Sequence, residues 1–194
     1  MRLNFFMVLI LVSSTVSASD SLSFTKTEMV YGRKDGMALT MTVLKPIKNA
    51  NGKAIVSVLS GNWVSSERMR QNFPERTQLY IDAGYTVFGV MVGCQPRYTI
   101  PDEIIDLKRA VRFIRFNAKE YGNKIGITGS SSGGHLSLMI ATANETENSK
   151  SNDPVDKVSS RVQAVAVFYP PTDFINYGIT NTSQTINQQA LVLA

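Results

Sequence analysis

Two stretches near the start of the chain, SFTKTEMVYG and MALTMTVLKP, alternate polar and apolar residues around the short segment RKDG. Alternation with period two turns one face of each strand toward a core. Asp35-Gly36 tolerates the positive φ of a tight turn, so the pair predicts an antiparallel hairpin. Farther along, the pattern changes. Compact apolar runs occupy Lys53 to Ser60, Tyr85 to Val92 and Lys124 to Gly129, and a fourth, Arg161 to Tyr169, belongs with them. Short continuous runs rich in Val and Ile suit strands buried on both faces, as in a parallel sheet covered by helices.

The segments between these runs carry a helical period. From Pro101 to Tyr121 the apolar residues Ile104, Leu107, Val111, Ile114 and Ala118 recur at three and four. Pro101 suits the first turn, and Gly122 can end the helix. Pro74 to Ala83 predicts a shorter helix before Gly84, and Gly133 to Ala143 a third. Residues 144–153 read as a polar loop, and the residues from Gly178 onward show no period and predict little structure. A hairpin followed by alternating strands and helices argues for an α/β sandwich with a mostly parallel sheet.

Composition adds a leader and removes several chemistries. The first 18 residues hold Arg2, an apolar run from Phe5 to Val12 and a closing VSA. That is the layout of a signal peptide cleaved after Ala18, which predicts an exported domain over 19–194, periplasmic or extracellular. The run is too short to span a bilayer. The net charge of +5 is thinly spread, and its densest cluster, DLKRAVRFIR, reads as the solvated face of a helix, so neither nucleic acid nor membrane is expected as a partner. With Cys94 the only cysteine and His135 the only histidine, there is no internal disulfide and no zinc site of standard ligands. No metal or other cofactor is expected.

The chemistry concentrates in GITGSSSGGHLSL, residues 126 to 138. Gly129-Ser130-Ser131-Ser132-Gly133 matches G-x-S-x-G between a predicted strand and a predicted helix. A nucleophile on so tight a turn requires small residues two before and two after it, and Gly129 and Gly133 supply them. Ser131 is therefore the candidate nucleophile, with Ser130 and Ser132 as second choices. The following helix aims its N-terminal amides at the charge that develops on a substrate carbonyl, and the Ser132 N–H would be one oxyanion donor. A second donor is expected from LSGNWVSS, where Gly61 and Asn62 can present amides and Trp63 can pack beneath or line an acyl pocket. Ordinary turns with no chemistry are the alternative for both segments.

Together with GYTVFGVMVGCQPRYTIPDEIIDLKRAVRFIRFNAKEYG and DPVDKVSSRVQAVAVFYPPTDFINYG, these motifs resemble the exported α/β-hydrolase-fold esterases related to feruloyl esterases and hormone-sensitive-lipase-like carboxylesterases. The likeness runs from about Tyr31 to Gly178. It implies a three-layer α/β-hydrolase sandwich, a serine carboxylic ester hydrolase working through an acyl-enzyme on a small-molecule ester of a small or aromatic acyl group, and Ser131 as nucleophile. It also implies that Ser132 and Gly61/Asn62 are oxyanion donors and that Asp106 is the acidic residue of the preceding helix. The oxyanion loop departs from the family's His-Gly-Gly: Ser60 stands for the histidine and Asn62 for the second glycine.

A serine nucleophile needs a base and an orienting acid, which follow it in this fold in the order serine, acid, histidine. His135 sits inside the helix that the serine turn launches and is expected to be structural. Asp173 follows the last strand and reads as a turn residue rather than the acid. Six strands are predicted where the resembling family has eight, so the C-terminal strands with their acid and histidine are expected to be missing and the chain inactive by itself. That leaves Val165, Val167 and Phe168 on an exposed edge. A serine peptidase of the same fold, or a binding-only product, stays open, as does the oligomeric state.

Overall fold

The computed structural model describes residues 23–143 and 149–174. The leader and the residues after 174 lie outside this range. Strands β1 (Phe24–Lys34) and β2 (Met37–Pro46) form the predicted hairpin, turning at Asp35 and Gly36 with φ of 45° and 81°. Strands β3 (Lys53–Val58), β4 (Thr86–Val90), β5 (Lys124–Ser130) and β6 (Ala164–Phe168) follow. The sheet order is β1-β2-β4-β3-β5-β6, with β2 antiparallel to β4 and every later pairing parallel. This brings the ends of β3 and β5 side by side, where the two candidate site segments emerge.

Helices cover both faces. On one side lie α1 (Glu67–Gln71) and α2 (Phe73–Asp82), with Phe73 and Ile81 packed against Leu44 and Val87. On the other lie α3 (Ile100–Phe116), the single turn α4 (Ala118–Tyr121) and α5 (Ser132–Thr142). There Leu107, Val111, Ile114, Leu136 and Ile140 meet Val56, Phe88 and Ile127. Each such large apolar side chain contributes about 1.5–3 kcal/mol by leaving water. Val87 and Phe88 go to opposite faces, as consecutive strand residues must, and all of β4 is buried as the uninterrupted apolar run predicts.

Three readings change. The long helix stops at Phe116 rather than Tyr121, because Asn117 turns its side-chain amide back to the Phe113 carbonyl at 2.8 Å and competes with the helical bond. The helix after the serine turn begins one residue early, at Ser132, and α1 is an addition capped by Ser66. Strand β6, grouped by its apolar run with the doubly buried strands, instead forms the exposed edge expected from the strand count. It is the outermost strand among those described, with Val165 41% and Phe168 56% exposed and Val167 partly covered.

The segment leading into β6 is strapped down by α3. Arg109 forks onto Asp153 and Asp156, both at 2.7 Å, and donates to the Tyr31 carbonyl; Arg112 donates to the Val158 carbonyl. Arg115 donates to the Ser159 and Arg161 carbonyls at 2.6 Å. The basic cluster thus lies on the protein's own loop. No helix among the described residues is long and apolar enough to cross a membrane.

Candidate active site

The β5–α5 connection is built by steric exclusion. Ser131 has φ 52° and ψ −127°, a conformation that costs a non-glycine residue on the order of 1–3 kcal/mol. A Cβ on Gly129 would fall on the Gly133 carbonyl group, and one on Gly133 would come within 2.7 Å of the Val58 oxygen. Only glycine lets β5, β3 and the first turn of α5 approach this closely. The turn is fastened by the Ser131 N–H, which donates to the Phe168 carbonyl of β6 at 3.0 Å, and by the Ser131 carbonyl, which accepts from the His135 N–H at 3.0 Å.

The three serines have different fates. The Ser132 hydroxyl is buried and shares a hydrogen bond with Ser60 at 3.2 Å. Ser130 and Ser131 both line a cleft of about 260 Å³, walled by Ser60, Gly61, Phe73, Tyr80 and Phe168. As the first residue of α5, Ser132 has a backbone N–H with no intrahelical acceptor, next to the Ser131 side chain.

The segment after β3 closes into a two-residue turn. Gly61 and Val64 exchange both backbone hydrogen bonds at 3.0 Å, and the residues between them, Asn62 and Trp63, have φ of 51° and 55°. Positive φ at both central positions is the signature of a type I′ turn. The Gly61 N–H is thereby committed to Val64. Of the two amides expected to face a substrate, only that of Asn62 has no hydrogen bond among the described residues. Trp63 does not line the cleft. It is 3% exposed, packs edge-on against His135 and tilts against Phe174. Its indole N–H donates to His135 Nδ1 at 3.2 Å.

Side chains from the segment itself and from elsewhere hold this loop. Ser65 donates to the Leu59 carbonyl at 2.8 Å and accepts from the Val92 N–H, and the Gln95 amide donates to the Asn62 carbonyl at 3.0 Å. The segment carrying Gln95 is in turn held by Asp106, which accepts from the Gly93 N–H at 3.0 Å and pairs with Lys34 at 3.1 Å. Burial pushes the Asp106 carboxyl up, against the pull of Lys34 and the Gly93 amide. Asp106 thus acts two steps away from the cleft. Asp173 is exposed at the end of the described residues, and Phe174 after it meets the His135 ring at 4.7 Å.

The three-layer fold, the strained serine between framing glycines and the neighbouring turn together invite comparison with known proteins. The BD-FAE family model matches residues 41–193. The chain belongs to the BD-FAE family. Among curated proteins, a probable carboxylic ester hydrolase, LipM of Mycobacterium tuberculosis, is 33% identical over 150 residues, covering 74% of this chain and 33% of that protein. Esterase LipQ of the same organism is 29% identical over 130 residues, covering 63% and 29%. The chain thus spans about a third of the length of these relatives. Among solved structures, Thermogutta terrifontis esterase 2 phosphoramylated by tabun superposes with a TM-score of 0.68 at 22% identity, over 87% of this chain and 61% of that one. The BD-FAE chain therefore has the α/β-hydrolase fold, with the mostly parallel sheet expected from its sequence.

The residues that sequence reasoning missed are the supports. Glu103 is fully buried, neither carboxyl oxygen has a hydrogen bond among the described residues, and burial together with Asp106 pushes its pKa up to about 8. A signal for it existed. The buried stripe of α3 runs through Ile100, Leu107, Ala110 and Ile114, and position 103 is a step of that stripe.

Proposed function

We propose that this chain carries the nucleophile and oxyanion donors of a serine carboxylic ester hydrolase acting on small-molecule esters. The carrying observation is Ser131, held at positive φ between a buried strand and the N-terminus of α5, with glycine two residues away on either side, on the wall of a cleft. The Ser131 Oγ attacks the ester carbonyl carbon as its proton passes to a base. The carbonyl oxygen becomes an oxyanion that accepts from the Ser132 and Asn62 amides, and collapse of the tetrahedral intermediate expels the alcohol. Water then releases the acid and restores the hydroxyl. No metal or cofactor enters this scheme.

His135 is not that base. It is the only histidine in these 194 residues, it lies within α5, and its Nδ1 is occupied by Trp63. The chain by itself is therefore expected to hydrolyse p-nitrophenyl acetate more slowly than an esterase with an intact triad, by a factor on the order of 10⁴. Near-normal turnover that is lost in Ser131→Ala would overturn that part of the reading. Prolonged fluorophosphonate labelling followed by peptide mapping tests the nucleophile: without the base the reaction is slow, but the oxyanion donors still favour Ser131, so the adduct is expected there and absent from Ser131→Ala, and an adduct on Ser130 would reassign it. The leader pattern of residues 1–18 supports export, and a mature N-terminus at Ser19 is the expected result of sequencing the exported protein.

A further inference from the structure

We propose that His135 is a positioning residue for the oxyanion loop, holding the Asn62–Trp63 turn in place through its neutral Nδ1. The inference rests on the reading of Asn62 as an oxyanion donor and adds what fixes that donor.

Both central residues of the turn have positive φ and neither is glycine. Asn tolerates that region, but for a residue as bulky as Trp it is a strained conformation that persists only when the surroundings enforce it. At Trp63 the surroundings are specific. The indole is buried, and a buried indole N–H needs an acceptor, being a donor only. The acceptor present is His135 Nδ1 at 3.2 Å, which fixes the imidazole as the tautomer protonated on Nε2. The His135 and Phe174 rings close around the indole. The acceptor also stands in a telling place. His135 lies one helical turn after Ser131, and its own N–H donates to the Ser131 carbonyl. One turn of α5 therefore holds the nucleophile by its backbone and the facing loop by a side chain, joining residues 72 positions apart. Gln95 grips the same turn from the other side, at the Asn62 carbonyl.

Trp63 and His135 are the only tryptophan and histidine of the chain, so the pair can be observed without ambiguity. In the full chain labelled with ¹⁵N, the single indole N–H resonance is expected downfield and slow to exchange with water. His135→Phe keeps an aromatic ring but removes the acceptor, and should move that resonance upfield and speed its exchange. His135→Asn places an oxygen near the former Nδ1 and should restore it. The rate of Ser131 labelling by a fluorophosphonate is expected to fall about 10-fold or more in His135→Phe, the order lost with an oxyanion donor, and to recover in His135→Asn. An unmoved indole resonance in His135→Phe overturns the proposal, and so does an unchanged labelling rate in that variant with its fold intact. If His135→Phe does not fold, Trp63→Phe breaks the same bond from the donor side. The same slowing there supports the proposal, and an unchanged rate overturns it. A wild-type chain that labels at another serine refutes the Ser131 assignment instead, while the indole resonance still reports on the pair.

Discussion

The two segments that meet at the cleft reach the same end by opposite means. The serine turn is shaped by what its residues lack: Gly129 and Gly133 have no Cβ, and β5, β3 and α5 pack into the space that leaves. The Gly61–Val64 turn is shaped by what side chains add: His135 takes the Trp63 indole, Gln95 the Asn62 carbonyl, and the adjacent Ser65 the Leu59 carbonyl. Both hold non-glycine residues at positive φ. A conformation enforced by close backbone contact is rigid against loss of any one hydrogen bond, whereas one enforced by side chains fails one bond at a time.

That difference can be broken most severely at Gly129. Gly129→Ala puts a methyl group on the Gly133 backbone, and the expected loss is about 4 kcal/mol or more, read as the absence of a cooperative urea transition. The next effect concerns α3, which supports both segments. Because the folded pKa of Glu103 lies near 8, above the ordinary 4.5, the native state holds a proton that the unfolded chain releases. Stability is full below about pH 4.5 and falls as pH rises toward 8. Glu103→Gln lacks that slope. It should match the wild type at pH 4 and be clearly more stable than it at pH 9, read in denaturant titrations at the two pH values.

Trp63→Phe should cost about 2 kcal/mol, from the lost bond and the unsatisfied His135 nitrogen, without abolishing folding. A cost as large as that of Gly129→Ala would erase the distinction between the two segments. The smallest effects are gains. Ser131→Gly relieves the strain at φ 52° and should raise stability by roughly 1 kcal/mol, while Asn62→Gly should gain only a few tenths because Asn already tolerates this region. Thermal unfolding of the pair of variants measures both.

The same contrast explains what the sequence revealed. The serine turn was legible because its determinants are local: glycines two residues either side of Ser131, a buried run before and a helix after. The hairpin and β4 were legible for the same reason, since alternation and continuous burial are each written in consecutive residues. Trp63 was read only as beneath or beside a pocket, because its partner is 72 residues away and no spacing rule links them. The commitment of the Gly61 amide to Val64 was hidden too, since whether Asn62-Trp63 forms a two-residue turn depends on the groove that receives the indole. The break at Asn117 was a contest between a side-chain amide and the helix, which apolar periodicity does not register.

The arginine strap has a consequence for how freely different parts of this protein can drift in sequence. Arg112 and Arg115 donate to backbone carbonyls of Val158, Ser159 and Arg161, groups that every residue type possesses. Val158 and the exposed Arg161 can therefore be exchanged without loss of the strap, whereas Ser160 is buried and the Ser159 hydroxyl accepts from the Arg161 N–H; the length of the stretch cannot change, since one inserted residue would carry the carbonyls out of register. The arginines are constrained the other way. Arg115 reaches two carbonyls at once with its planar fork, and a lysine ammonium has no such geometry. Libraries that randomise 158 and 161 should yield many folded variants, and lysine at 115 few.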